Sequence, residues 1–190
     1  MQRLRITHLT EYQFGSPVTL LPHRLLLRPR EGHDLHIETS KLEIAPAHTA
    51  KWHRDVFDNS VAVVSFLEPA ARLTIASEVV IQHYEEAPLD FLVEDYAVSH
   101  LGLASRFVSG YSHGSATEAG NASTHAWIEV YLPGPGWKGF DPTSGELTGN
   151  RHIPVAVARH PQTLPPVAGS FVGPAGLRPA LIVNVQVTAL

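Results

Sequence analysis

The feature that most constrains this chain is a succession of β-branched or alternating runs with a two-residue period, separated by turn signals. RLRITHL, HRLLLRP, LHIETSKLEIAPA, KWHRDVF, SVAVVSFLE and ARLTIASEVVIQHY follow one another between Arg3 and Tyr84. Turn signals separate them, among them Gly15-Ser16-Pro17, Arg30-Glu31-Gly32 and Asp58-Asn59. Successive side chains of a strand point to opposite faces, so alternation of this kind marks a sheet with one buried side. In the last run Leu73, Ile75, Val79 and Ile81 share one face, and Arg72, Thr74, Glu78 and Gln82 share the other. The pattern predicts an antiparallel β-sandwich or sheet module over residues 1–84.

Residues 85–104 read as a connecting segment, in which Phe91, Asp95, Val98 and Leu101 would support one short helix. Strands resume in RFVSGY and in the hairpin THAWIEVYLPGPGWKGFD, and PALIVNVQVTAL closes the chain on another alternating run. Between them, RHIPVAVARHPQTLPPVAGSFVGPAGLRP is so rich in proline and glycine that loops with short extended pieces are expected. The chain has no internal repeat and no low-complexity tract. The expected fold is therefore mainly β, antiparallel, with few short helices and a second β-rich part over residues 105–190.

Several classes of function are disfavoured by composition. A formal charge of -4 gives no electrostatic reason to expect nucleic acid or an anionic membrane as a partner. No apolar run approaches the roughly 20 residues of a membrane span. The opening MQRLRITHLTEYQF alternates like a strand and lacks the continuous apolar centre of a signal peptide, which makes a cytoplasmic address the expectation. The chain has 0 cysteines, which rules out disulfides, thiolate zinc sites and a cysteine nucleophile within it.

The hairpin can be read residue by residue, because strand parity is strict. His125 and Asp141 face the same side if the loop has an odd number of residues, for example Pro133 to Pro135. Trp127 then lies opposite Asp141, with His125 as its diagonal neighbour. One face carries Ala126, Ile128, Val130, Leu132 and Phe140 and suits a core. The other carries His125, Trp127, Glu129, Tyr131, Trp137 and Asp141, mixing aromatic with titratable groups. A carboxylate beside an imidazole fixes its tautomer and raises its basicity, as general-base chemistry requires. A purely structural hydrogen-bonded pair is the other reading of the same two residues.

LGLASRFVSGY, HAWIEVYLPGPGWKGFDPTSG and HIPVAVAR together resemble the core of bacterial transglutaminase-like proteins, members of the papain-like group of cysteine-dependent acyl-transfer enzymes. EYQFGSPVTLLPHRLLLRPREGH, VFDNSVAVVSF and LTIASEVVI resemble the β-rich N-terminal module of the same proteins. The resemblance implies that His125 is the general base, that Asp141 orients it, that Trp127, Tyr131 and Trp137 line the substrate side, and that the substrate is a peptide or protein amide. It also implies a nucleophilic cysteine on a core helix ahead of LGLASRFVSGY, and that residue is absent. The helical part of the core is expected to be missing between about Tyr96 and Leu101, so that residues 105–190 hold the β half of the core.

Two classes of function remain: an active acyl-transfer or amide-hydrolysing enzyme, and a catalytically silent scaffold that binds peptide or another subunit. The missing thiol favours the second. The first would need a non-cysteine nucleophile or a metal held by His and Asp. Ser99 stands at the junction, and Ser109, Ser112 and Ser123 lie in or beside strands without the helix N-terminus that activates a thiol. His33 and His36 form an H-x-x-H, and His113, His125, Asp141 and His152 could converge in space as a ligand set that suits zinc or nickel. Scattered surface histidines explain them more simply, so no metal ligand and no cofactor is assigned. Asn121-Ala122-Ser123 matches a glycosylation sequon without a secretion signal to give it weight. An uncovered wall of Trp127, Tyr131 and Trp137 would need burial, which predicts a homodimer or higher oligomer, with PALIVNVQVTAL a strand available for exchange.

Overall fold

The computed structural model describes residues 1–84, 103–114 and 122–190. These residues form fourteen β-strands and one turn of 3-10 helix at Pro161–Thr163, with no α-helix among them. The helix expected around Phe91–Leu101, the expected junction between Tyr96 and Leu101, Ser99 and Asn121 all lie outside the described residues.

The first sheet is built on β1 (Gln2–Leu20), which pairs antiparallel with β6 (Ala70–His83), itself paired with β3 (Leu35–Ala45). On its other side β1 receives β14 (Ala180–Ala189) along Leu4–Gln13, and β13 (Phe171–Val172) at Thr19 and Leu20. The second sheet runs β12 (Val167–Ala168), β2 (His23–Leu25), β5 (Ser60–Phe66), β4 (His48–Arg54). The third runs β10 (Glu146–Leu147), β9 (Gly136–Asp141), β8 (Ala122–Leu132), β7 (Ser105–His113), β11 (His152–Ala158).

Alternation decides which faces are buried. Leu73, Ile75, Val79 and Ile81 of β6 are all buried, as their period predicts. The distal half of β1 supplies Phe14, Val18 and Leu20 to a core shared with Leu25, Ala62 and Val64 of the second sheet. Its proximal half supplies Leu4 and Ile6 to a core shared with Tyr111, Ile153 and Ala156 of the third sheet. The first sheet is thus covered by two others, one at each end. Gly15-Ser16-Pro17, expected as a turn, lies within β1 instead: the pairing with β6 shifts between Gln13 and Val18, and Gly15 takes φ +73. Both flanks of that segment are paired and buried, so the local turn preference becomes an irregularity in a continuing strand.

The later part of the chain returns to the earlier part. β12, β13 and β14 pair with β2 and β1, although they follow the third sheet in sequence. Two polar contacts join the sheets within the core. Nδ1 of buried His8 on β1 hydrogen bonds the Tyr111 hydroxyl on β7 at 2.9 Å, and Nε2 bonds Thr10 Oγ1 at 3.0 Å. Asn59, at the end of the tight turn that opens β5, bonds the backbone of Val157 on β11.

Candidate active site

The hairpin β8–β9 turns through Pro133-Gly134-Pro135, with Gly134 and Gly136 at φ +93 and +77, a region closed to most side chains. Its register pairs Tyr131 with Trp137 and Ile128 with Phe140. The odd-length loop therefore puts His125, Trp127, Glu129, Tyr131, Trp137 and Asp141 on one face, as parity predicts.

His125 and Asp141 meet on that face. Nε2 of His125 donates to Asp141 Oδ2 at 2.7 Å, leaving Nδ1 as the ring nitrogen turned away from the carboxylate. A third group joins them: Nε2 of His152 donates to the same Oδ2 at 3.1 Å. Asp141 Oδ1 accepts the Thr143 backbone N–H at 2.9 Å, closing a local turn that fixes the carboxylate plane. The Asp141 and His152 side chains are 5% and 7% exposed, and that of His125 is 22% exposed. Burial works to raise the Asp141 pKa, but the hydrogen bonds from His152, Thr143 and His125 outweigh it and hold the carboxyl well below the usual carboxylate range.

His152 reaches this face through an irregularity in β11. Its pairing with β7 runs His152 with Ser112 and Pro154 with Gly110, then slips so that Ala156 meets Ser109 and Val157 meets Val108. One extra residue reverses the parity, so His152 and Val157 both face the site, while Ile153 and Ala156 face the core shared with β1. The proline- and glycine-rich segment, expected to hold loops with short extended pieces, contains a seven-residue strand that carries a site residue. Its signal was the run Ile153-Pro154-Val155-Ala156-Val157-Ala158, buried on both faces and so without alternation.

Trp127 corrects the expectation of an open aromatic wall. It is 3% exposed, packed with Val108, Val157 and the half-buried Phe57 from the turn before β5. Its indole lies against both imidazoles, 6.3 Å from His125 and edge-on at 5.2 Å from His152. Gly110 makes room for it, since a Cβ there would strike the Trp127 ring and the Ile153 carbonyl. Tyr131 and Trp137 are exposed, at 47% and 37%, and pack edge-on against each other at 5.5 Å. Arg106 lies over Trp137 at 4.0 Å and pairs with Glu129 at 2.6 Å. On the opposite face, expected to be core, Val130 and Leu132 are buried but Ala126 is exposed, and Ile128 and Phe140 are half-buried.

The other histidines and serines take separate places. His113 turns away, with Nδ1 on the Gly114 carbonyl at 2.8 Å and Nε2 on the Asn150 carbonyl at 3.2 Å. His36 is exposed beside Glu31. Ser109 faces away from the site; Ser112 and Ser123 pair with one another on the site face, one row from His125. No hydrogen bond joins a serine hydroxyl to His125 among the described residues.

The described residues form a β-rich fold with an imidazole–carboxylate pair on one hairpin face, and the comparisons with known proteins bear on that fold. Residues 4–82 match the bacterial transglutaminase-like N-terminal region, and residues 97–142 match the transglutaminase-like superfamily. The chain is thus similar to bacterial transglutaminase-like proteins over both stretches. The uncharacterized protein YebA of Bacillus subtilis strain 168 is 31% identical over 117 residues, which is 49% of this chain and 16% of that protein. A crystal structure from Cytophaga hutchinsonii, of a protein provisionally described as a cysteine protease, shares the fold with a TM-score of 0.64 at 13% identity. That likeness covers 100% of this chain and 91% of the other.

Proposed function

We propose that this chain is a transglutaminase-like scaffold that has kept the base side of an acyl-transfer site and lost the thiol, and that it binds peptide or protein amides without cysteine chemistry. The observation that carries the reading is the short contact between His125 and Asp141 in a chain with 0 cysteines. In the proposed roles, Asp141 fixes the His125 tautomer through Nε2, and Nδ1 is the nitrogen that would face a nucleophile. A serine would be a poor replacement, since its hydroxyl is far less acidic than a thiol and none among the described residues is bonded to His125. Tyr131, Trp137 and Arg106 offer an aromatic and cationic shelf for an extended peptide, and Trp127 supports the two imidazoles from beneath.

Incubation with a glutamine peptide and an amine donor, with and without iodoacetamide, tests the reading. The expected result is no turnover in either arm, with peptide binding weakened by Trp137→Ala. Turnover that survives alkylation and is lost in His125→Ala would overturn it in favour of a non-cysteine enzyme.

The proposal extends to a homodimer and to a cytoplasmic address. The observation behind the dimer is β14, which pairs with β1 on one side and exposes Leu181, Ile182 and Val183 at 55%, 47% and 48%. Among the described residues β14 pairs only with β1, and an edge strand that presents apolar side chains and backbone groups is a template for another strand. Among the described residues no helix is long and apolar enough to cross a membrane, and cell fractionation checks the address.

A further inference from the structure

A general base needs one imidazole on its carboxylate, and this site has two. His125 and His152 bring Nε2 to the same oxygen, Asp141 Oδ2, at 2.7 and 3.1 Å, while Oδ1 is engaged by the Thr143 N–H. Two nitrogens and one oxygen therefore converge, all within 4.8 Å of one another. A tetrahedral zinc ion, with bonds of roughly 2.0 to 2.2 Å, sets its ligand atoms about 3.3 to 3.5 Å apart. The contacts seen here open to that spacing with small side-chain movements.

We propose that His125 Nε2, His152 Nε2 and Asp141 Oδ2 form a binding site for one first-row divalent cation, zinc foremost, with its fourth position open to solvent. Two imidazoles and a carboxylate are a donor set that suits zinc and its neighbours and not calcium or magnesium. The opening lies on the side of His125, the most exposed of the three ligands. Three protein ligands with one open position distinguish a reactive metal site from a closed structural one.

Three features of the fold hold the donors in place. The slip in β11 turns His152 onto the site face. Trp127 packs against both rings. The Thr143 N–H holds Oδ1, so Asp141 presents Oδ2 as a single donor. One contact would have to yield: with a metal on Nε2 the remaining proton of His152 sits on Nδ1, facing the Gly149 N–H now at 3.5 Å. That contact is at the limit of a hydrogen bond, and Gly149 has open space beside it. The site stands whether or not amides bind at this face, so its failure and that of the amide-binding reading are separable.

The test uses tag-free protein stripped with EDTA, titrated with Co²⁺ and then Zn²⁺, and followed by visible absorption and calorimetry. The expected result is one ion per chain, with the d–d bands of four- or five-coordinate cobalt bleached by zinc, and a melting temperature raised by zinc. His125→Gln, which changes the most exposed ligand and is the variant best able to fold, should weaken binding about tenfold or more and remove the rise in melting temperature. His152→Gln and Asp141→Asn should do the same where circular dichroism shows them folded, and His36→Gln should change neither. With 12 histidines in the chain, adventitious coordination is the alternative. Binding that survives His125→Gln, or no stoichiometric binding at micromolar ion, overturns the proposal.

Discussion

Asn59 brackets Val157. Its Nδ2 donates to the Val157 carbonyl at 2.8 Å and its Oδ1 accepts the Val157 N–H at 2.8 Å, joining the turn before β5 to the strand beneath Trp127. The same side chain receives Arg30 Nη1 at 2.9 Å and donates to Asp55 at 2.9 Å. At 1% exposure it has no water to replace these partners.

Asn59→Ala leaves two backbone groups of β11 without partners in a buried place. Each costs about 1 to 3 kcal/mol, so a loss of about 2 to 6 kcal/mol in urea unfolding is expected. Because the turn also carries Phe57 onto Trp127, the variant should shift tryptophan emission to the red. A loss below about 0.5 kcal/mol would show that the turn and β11 are held together by other contacts.

Gly110 is the second structural dependence of the site. A methyl group there meets the Ile153 carbonyl on one side and the Trp127 ring on the other, and the carbonyl belongs to a paired strand that cannot give way. Gly110→Ala should cost at least the roughly 1 to 3 kcal/mol of an overpacked core. The NMR signals of the His125 and His152 rings should move with the indole. An unchanged melting temperature with unchanged ring signals would contradict the packing described.

Much of this architecture is legible in the sequence, for reasons that differ by element. The alternation of β6 and the odd loop at Pro133-Gly134-Pro135 are local, so they reveal the buried face of one strand and the shared face of His125 and Asp141. Parity says which residues share a face and nothing about what covers it. Trp127 is buried by Phe57, seventy positions earlier, a contact without a local signal. The sequence offers His152 only as one of four possible metal ligands, and its place beside Asp141 is not legible because β11 is apolar on both faces and embedded among prolines, and the slip that turns it inward arises only on pairing with β7. Gly15-Ser16-Pro17 misleads for the converse reason: a real turn preference is overridden by pairing on both flanks.

Self-association through β14 is expected to give a dimer in light scattering at micromolar concentration. Ile182→Lys places a charge on the exposed edge, the device by which natural sheets prevent pairing, and should give a monomer with an unchanged circular dichroism spectrum. A wild-type monomer would mean that the edge stays unpaired. The burial of Trp127 within its own chain leaves Tyr131 and Trp137 as a smaller patch than the sequence implied, so Trp137→Ala should leave the dimer intact.

His8 should make stability fall on mild acidification. It is buried between the sheets, bonded to Tyr111 and Thr10, and burial lowers its pKa to about 4. In the unfolded chain the same imidazole takes up its proton near pH 6.5. Between those values the unfolded state binds the extra proton and the native state does not, so stability decreases as pH falls. The stability is fully present above about pH 6.5, declines by about 1.4 kcal/mol per unit below it, and is lost to the extent of about 3 kcal/mol near pH 4. His23, also lowered by burial, adds to the slope in the same direction. Urea unfolding from pH 7 to 4.5 measures it, ahead of most carboxylate titration. His8→Gln has no proton to gain, so it should start less stable at pH 7 through the loss of its two hydrogen bonds and then show a shallower decline. An equal slope in His8→Gln and wild type would mean that His8 charges in the native state near its ordinary pKa, and that water reaches it between the sheets.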